Sequence, residues 1–143
     1  MRFWDSSAII PLVVREDRSP VMHELLAEDP DLILWWGSGV ECASAVHRLR
    51  REGVLAPLEA TQVLAGFASV LDAANVVEPT DAIIAASLRL LTAHPLRAAD
   101  SLQLAAALLW AQDHPAGRDF VCLDARLRIA AALEGFRILP GTL

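Results

Sequence analysis

The chain has 143 residues, 55% hydrophobic and 21% charged, with a formal net charge of −6; this suits one domain, residues 1–143, with a substantial core. All twelve basic residues are arginine, which excludes a Walker A loop, Schiff-base chemistry through lysine, and the lysine-using receiver domains and haloacid-dehalogenase-type phosphatases. The negative charge argues against a DNA-coating protein, no stretch approaches the ~18 apolar residues of a membrane span, and "MRFWDSS" lacks the pattern of a secretion signal.

In chain order, "MRFW" (1–4) reads as a short strand ending on Asp5, and "SSAIIPLVV" as a helix. Ser19-Pro20 reads as a helix cap followed by a good first helical residue. "DLILWW" (31–36) is an apolar run of strand length; "GSGVECASAVHRLRREG" follows as a helix anchored by Val40, Val46 and Leu49 and stopped at Gly53. An amphipathic helix over 57–74, a brief strand over 75–78, and helices over about 80–93 and 97–113 come next. "DFVCLD" (119–124) is a strand, 125–135 a helix, and "FRILP" (136–140) a last strand.

Short apolar strands alternating with helices predict an α/β fold, with a mostly parallel sheet of about five strands between two helical layers, α/β/α and Rossmann-like. Cys42 and Cys122 have no metal-type spacing and read as small core residues of a protein in a reducing cytoplasm. A mean hydropathy of +0.40 leads us to expect that another chain covers part of the surface.

Two strands end in aspartate, at Asp5 and Asp124. Ligands of open parallel sheets bind beyond the carboxyl ends of the strands, where strand order reverses. Should these strands be neighbours there, both acids face one crevice. Glu41 and Asp100, near helix starts, belong at the same edge. Two carboxylates ~5 Å apart repel by roughly 3 kcal/mol at an effective dielectric of 20, and Mg²⁺ or Mn²⁺, which favour oxygen ligands, relieve that repulsion. A metal with open water positions suits phosphodiester hydrolysis. Taken singly, each acid has a plainer role. Asp5 and Asp124 would cap helices, Glu41 would face solvent, and Asp100 would pair with Arg97.

In order and context these segments resemble the PIN-domain ribonucleases, especially VapC-type toxins of bacterial toxin–antitoxin pairs, over nearly the whole chain. "FWDSSAII" resembles the family's opening motif, "SGVECASAVHRL" its second, "LRAADSLQLAAAL" its third and "FVCLDARLRIAAALEGFRIL" its closing segment. The resemblance implies a PIN-like fold and RNA cleavage by metal-activated water. Asp5 and Asp100 are then direct Mg²⁺ or Mn²⁺ ligands, Glu41 and Asp124 complete the pocket directly or through water, and Asp124 stands in the most variable motif. It also implies a homodimer neutralised by a small VapB-type antitoxin.

Ser6 is expected either beside the metal or a phosphate or as a helix cap. Arg97, Arg126 and Arg128 are candidates for phosphate contact; Arg48, Arg50 and Arg51 fit the end of their helix. Trp35 and Trp36, adjacent on a strand, are expected in core packing, and the four histidines show no ligand spacing. Alternatives are a catalytically silent PIN-like module that binds RNA or protein, a general RNA-processing nuclease, and a nucleotide-binding domain; the last lacks a glycine-rich loop after a strand.

Overall fold

Apolar runs too short for a stable helix become strands, and the longer stretches between them coil against both faces of the resulting sheet. The computed structural model describes residues 1–142. Along them run β1 (Arg2–Trp4), α1 (Ser6–Val13), α2 (Ser19–Glu28), β2 (Leu32–Trp35), α3 (Ser38–Arg51) and α4 (Pro57–Ala73). Then follow β3 (Asn75–Val77), α5 (Asp81–Ala93), α6 (Ala98–Trp110), β4 (Asp119–Val121), α7 (Ala125–Glu134) and β5 (Arg137–Leu139).

The five strands form one sheet in the order β3-β2-β1-β4-β5, and every pairing is parallel. Phe3 stands opposite both Ile33 and Phe120, and Val121 opposite Leu139. Strand order reverses between β1 and β4. The predicted α/β/α architecture, with about five strands, is therefore observed.

Side chains alternate across a strand, so consecutive residues divide between two cores. Phe3, Ile33, Trp35, Phe120 and Cys122 pack with α5, α6 and α7. Trp4, Leu32, Leu34 and Val121 pack on the other face with α1 to α4. Phe3 stacks on Phe120 with ring centroids 5.4 Å apart. Full burial of such a side chain contributes about 1.5–3 kcal/mol, so even three-residue strands are firmly held. Both cysteines are buried and unpaired, as expected.

The amino edge of the sheet is closed by charge. Asp119, at the start of β4, accepts from Arg137 at the start of β5 (Nε 2.5 Å, Nη2 2.8 Å) and from Arg2 at the start of β1 (Nε 3.2 Å). Arg2 also donates to the Leu25 carbonyl and to Glu28.

Three local expectations are corrected. Ser19 is the first residue of α2, after Arg18 at the cap position. Its hydroxyl accepts from the Glu16 N–H and donates to the Val14 carbonyl, tying the α1–α2 turn. Val40 is no anchor: it is 72% exposed, and α3 is held by Cys42 and Val46 instead. Trp35 is core, but Trp36 lies beyond the end of β2 and is 58% exposed, its ring edge-on to Trp35.

Candidate active site

The opposite, carboxyl edge of the sheet carries the acids. Asp5 directly follows β1, its N–H continuing the pairing to the Val121 carbonyl (2.9 Å). Its carboxylate caps α1 by accepting from the Ser7 N–H (2.9 Å). Asp124 caps α7 through Oδ1, which accepts from Arg126 N–H (3.0 Å) and Leu127 N–H (2.9 Å). Glu41 stands in the first turn of α3. Asp100 stands in the first turn of α6, where its Oδ2 accepts from the Arg97 N–H (3.2 Å). All four therefore sit at helix N-termini, where unpaired N–H groups and the macrodipole favour negative charge.

Capping and convergence turn out to be one geometry. Three of the acids cap their helices and Glu41 stands in a first turn; across the point where strand order reverses, Asp5, Glu41, Asp100 and Asp124 line a single cavity of about 530 Å³ with Ser6 and Arg97. A tight turn makes this possible for Glu41: at Gly37, before α3, a Cβ would come within 2.5 Å of the Trp35 indole nitrogen.

Crowding these acids has an electrostatic cost. Burial pushes Asp5, 4% exposed, above the usual carboxylate range; its hydrogen bonds from Ser7 and Cys122 pull it back, and the charge of Asp100 adds to the rise. Glu41 is also raised, first by burial and then by Asp5, with Gln103 and Ser6 opposing and Asp100 adding. Burial, then the charges of Glu41 and Asp5, push the nearby Cys42 thiol up to about 12, and Cys122 is raised further by burial and Asp5. A hard divalent cation is what the donor set suits, since every candidate donor is a carboxylate oxygen. Among the described residues no three His, Cys, Asp or Glu side chains form a ready-made cage. Mg²⁺ needs no such cage, because it commonly binds through one or two carboxylates and keeps several waters.

Other expected residues divide. Arg97 lines the cavity, whereas Arg126 is exposed and does not. The Arg128 guanidinium donates to the carbonyls of Cys122 (2.7 Å), Leu139 (3.3 Å) and Pro140 (2.6 Å), so it braces the ends of β4 and β5 rather than reaching for phosphate. Ser6 does not cap α1, a task Asp5 performs; its hydroxyl accepts from Gln103 Nε2 at 2.6 Å. Asp100 makes its contact with the backbone of Arg97, and no Arg97–Asp100 ion pair forms among the described residues.

Sequence reasoning missed Ser7, Ser44, Gln103 and the placement of Arg48. Ser7 and Ser44 line the cavity; Arg48 also does, while bridging Glu52 at 3.6 Å. The adjacent "SS" after Asp5 was the available signal for Ser7, and the one polar residue in an otherwise leucine and alanine run was the signal for Gln103. A separate groove of about 430 Å³, lined by Val13, Leu55 and Val63 with Arg15 and Glu59, has no convergent acids.

No protein-family model and no curated protein matches the sequence. Chains of known structure share the fold, among them the following two. A toxin–antitoxin complex from Klebsiella pneumoniae contains a chain 14% identical, with 88% of each chain covered and a TM-score of 0.62. The crystal structure of FitAcB from Neisseria gonorrhoeae contains one 16% identical, covering 96% of this chain and 97% of that one, with a TM-score of 0.69. The likeness extends through nearly the entire α/β/α arrangement, which is PIN-like.

Proposed function

We propose that this chain is a metal-dependent endoribonuclease that hydrolyses RNA phosphodiester bonds, the toxin of a toxin–antitoxin pair resembling the VapC type. The observation that carries it is the meeting of Asp5, Glu41, Asp100 and Asp124, from four separate segments, in one cavity beyond the strand ends. The toxin assignment draws on the structural likeness to chains of a toxin–antitoxin complex and of FitAcB.

Asp5 and Asp100 would hold Mg²⁺ or Mn²⁺, with Glu41 and Asp124 completing the site directly or through water. A bound ion of this kind supplies an activated water nucleophile and neutralises charge on the phosphate and the leaving oxygen. The chain's own part is to hold the acids against their mutual repulsion by means of helix N-termini and hydrogen bonds. Arg97 and Arg48, on the cavity lining, offer bidentate guanidinium contacts to the RNA backbone. The four acids account for most of the net charge of −6, so the remaining surface is far less hostile to RNA than the total suggests. In this reading the protein acts in the cytoplasm as a homodimer and is neutralised by a small VapB-type antitoxin.

The test is cleavage of total cellular RNA by purified, antitoxin-free protein with Mg²⁺, with Mn²⁺ and with EDTA, beside Asp100→Asn. Discrete fragments that need metal and vanish in the variant support the proposal. A folded protein that binds metal without cutting any RNA favours a silent binding module, and one that binds no metal sinks the nuclease reading.

A further inference from the structure

Gln103 lies on α6, one turn beyond Asp100, and is 0% exposed. Its neighbours from Leu102 to Leu109 are all leucine or alanine. From this apolar face its side chain reaches out of α6 to two other helices. Nε2 lies 2.6 Å from Ser6 Oγ, 3.2 Å from Ser38 Oγ and 3.3 Å from Glu41 Oε2. The amide oxygen, Oε1, is buried without a hydrogen-bond partner.

An amide NH₂ has two protons to give and its oxygen two lone pairs to fill. Here the donor end is oversubscribed and the acceptor end is empty. The reverse orientation would set the amide oxygen against the Glu41 carboxylate, oxygen on oxygen, so Glu41 decides which way the amide points. A buried acceptor without a partner is a cost to folding. Methionine, of similar volume, would avoid it in this run. The amide therefore serves the polar groups it reaches, Ser6, Ser38 and Glu41, and not the apolar core.

We infer that Gln103 is a positioning residue for Glu41: its amide, anchored on Ser6 and Ser38, holds Oε2 from behind, leaving Oε1 as the oxygen that Glu41 presents to a cation in the cavity. This rests on the metal-dependent reading above. A carboxylate with one oxygen tethered is restricted to single-oxygen ligation, or to holding a metal-bound water. That suits small octahedral Mg²⁺ or Mn²⁺ better than Ca²⁺, which readily takes both oxygens of a carboxylate. Gln103 thus biases the site against Ca²⁺ as well as strengthening it.

The experiment is Mn²⁺ binding to metal-free protein, read from the electron paramagnetic resonance signal of free Mn²⁺ with Ca²⁺ as competitor. It compares native protein, Gln103→Met, Glu41→Ala and the double variant. Gln103→Met is expected to weaken Mn²⁺ binding about tenfold, the lower end for outer partners of metal ligands, and to narrow the preference for Mn²⁺ over Ca²⁺. It should still fold cooperatively, because losing the unpartnered Oε1 offsets part of the cost of stranding the Ser6 and Ser38 hydroxyls, and its effect on Mn²⁺ should vanish in the Glu41→Ala background. Native-like affinity and preference in Gln103→Met overturns the inference, as does an equal loss with and without Glu41. Native protein that takes up no Mn²⁺ overturns the metal-dependent reading itself, a result distinct from both. A measurement that needs no change at position 103 guards against a misfolded variant. In ¹⁵N spectra of the metal-free protein, the Gln103 side-chain NH₂ should exchange slowly and should shift and exchange faster in Glu41→Ala; an unmoved signal counts against the tether.

Discussion

Ser7 Oγ lies 2.5 Å from Asp5 Oδ2, and the same oxygen accepts the backbone N–H groups of Leu123 (2.9 Å) and Asp124 (3.3 Å). One hydroxyl thus spans the reversal of strand order, joining the acid that follows β1 to the backbone that carries the acid after β4. Ser7→Ala should remove a donor from a buried carboxylate and strand two N–H groups, at a cost of about 1–3 kcal/mol. Because Ser7 opposes the effect of burial on Asp5, the variant also holds that proton more tightly and should bind Mn²⁺ about tenfold more weakly. Thermal melts and Mn²⁺ titration check both effects; native values in both would reduce the Ser7 bridge to decoration.

Asp5 should cost the metal-free protein stability. Burial, reinforced by Asp100, raises its pKa in the folded state, so the folded form binds protons more tightly than the unfolded chain. Stability from this group is present at low pH and declines as pH rises from the ordinary value near ~3.9 through the raised one. Asp5→Asn keeps an oxygen to cap α1 and removes the charge. We expect it to melt higher than native protein at pH 7 without metal, by about 2–4 °C, which corresponds to roughly 1 kcal/mol in a domain of this size. The gap should close at pH 3 and reverse when Mn²⁺ stabilises only the native protein. A variant that melts lower at pH 7 in EDTA would show that Asp5 is chiefly structural.

The acids were legible because each has a local reason to stand where it does. A strand–acid–helix junction is visible at Asp5 and Asp124, and an acid in a first turn at Glu41 and Asp100. Those same junctions place them at one sheet edge. Their partners were not legible, since the Gln103–Ser6 and Ser7–Leu123 bonds connect residues 97 and 116 positions apart, and no local pattern encodes such a pairing. Val40 misled for a related reason: helical periodicity identifies an apolar position, but not that the first turn of α3 overhangs an open cavity. Arg128 lies near an acid in sequence, yet it is turned toward the carbonyl ends of β4 and β5, which need a donor.

The amino edge of the sheet gives a pH dependence of opposite sign. The hydrogen bond from Arg137, with further help from Arg2, holds Asp119 below the usual carboxylate range against the effect of burial. A depressed carboxyl contributes stability that is present above ~3.9 and is lost as pH falls toward the folded-state value. Asp119→Asn should lose about 1–2 kcal/mol at pH 7, less than a fully buried charged hydrogen-bond network would give, because the Arg137 side chain is 66% exposed and screened. The deficit should shrink as native protein is taken below pH 3.9. Urea unfolding at pH 7 and pH 3 decides it: a deficit of the same size at both would mean that lost packing, and not charge, is responsible.

The arginines should separate by task. Arg97 and Arg48 line the acidic cavity, Arg126 stands outside it, and Arg128 is spent on three carbonyls. RNA binding is best measured in an Asp100→Asn background, with Mg²⁺ present and over a range of salt. Each phosphate contact to a single strand contributes about 0.7 to the slope of log affinity against log salt, so Arg97→Ala and Arg48→Ala should each weaken binding and flatten the slope by about that amount. Arg126→Ala should change neither. Arg128→Ala should lower stability by about 1.5–3 kcal/mol, the contribution of charged hydrogen bonds, while leaving the salt slope of the folded protein intact. An Arg126 variant that flattens the slope while the Arg97 variant does not would mean that the RNA track runs along α7. The substrate would then enter the cavity past Asp124 rather than past Asp100.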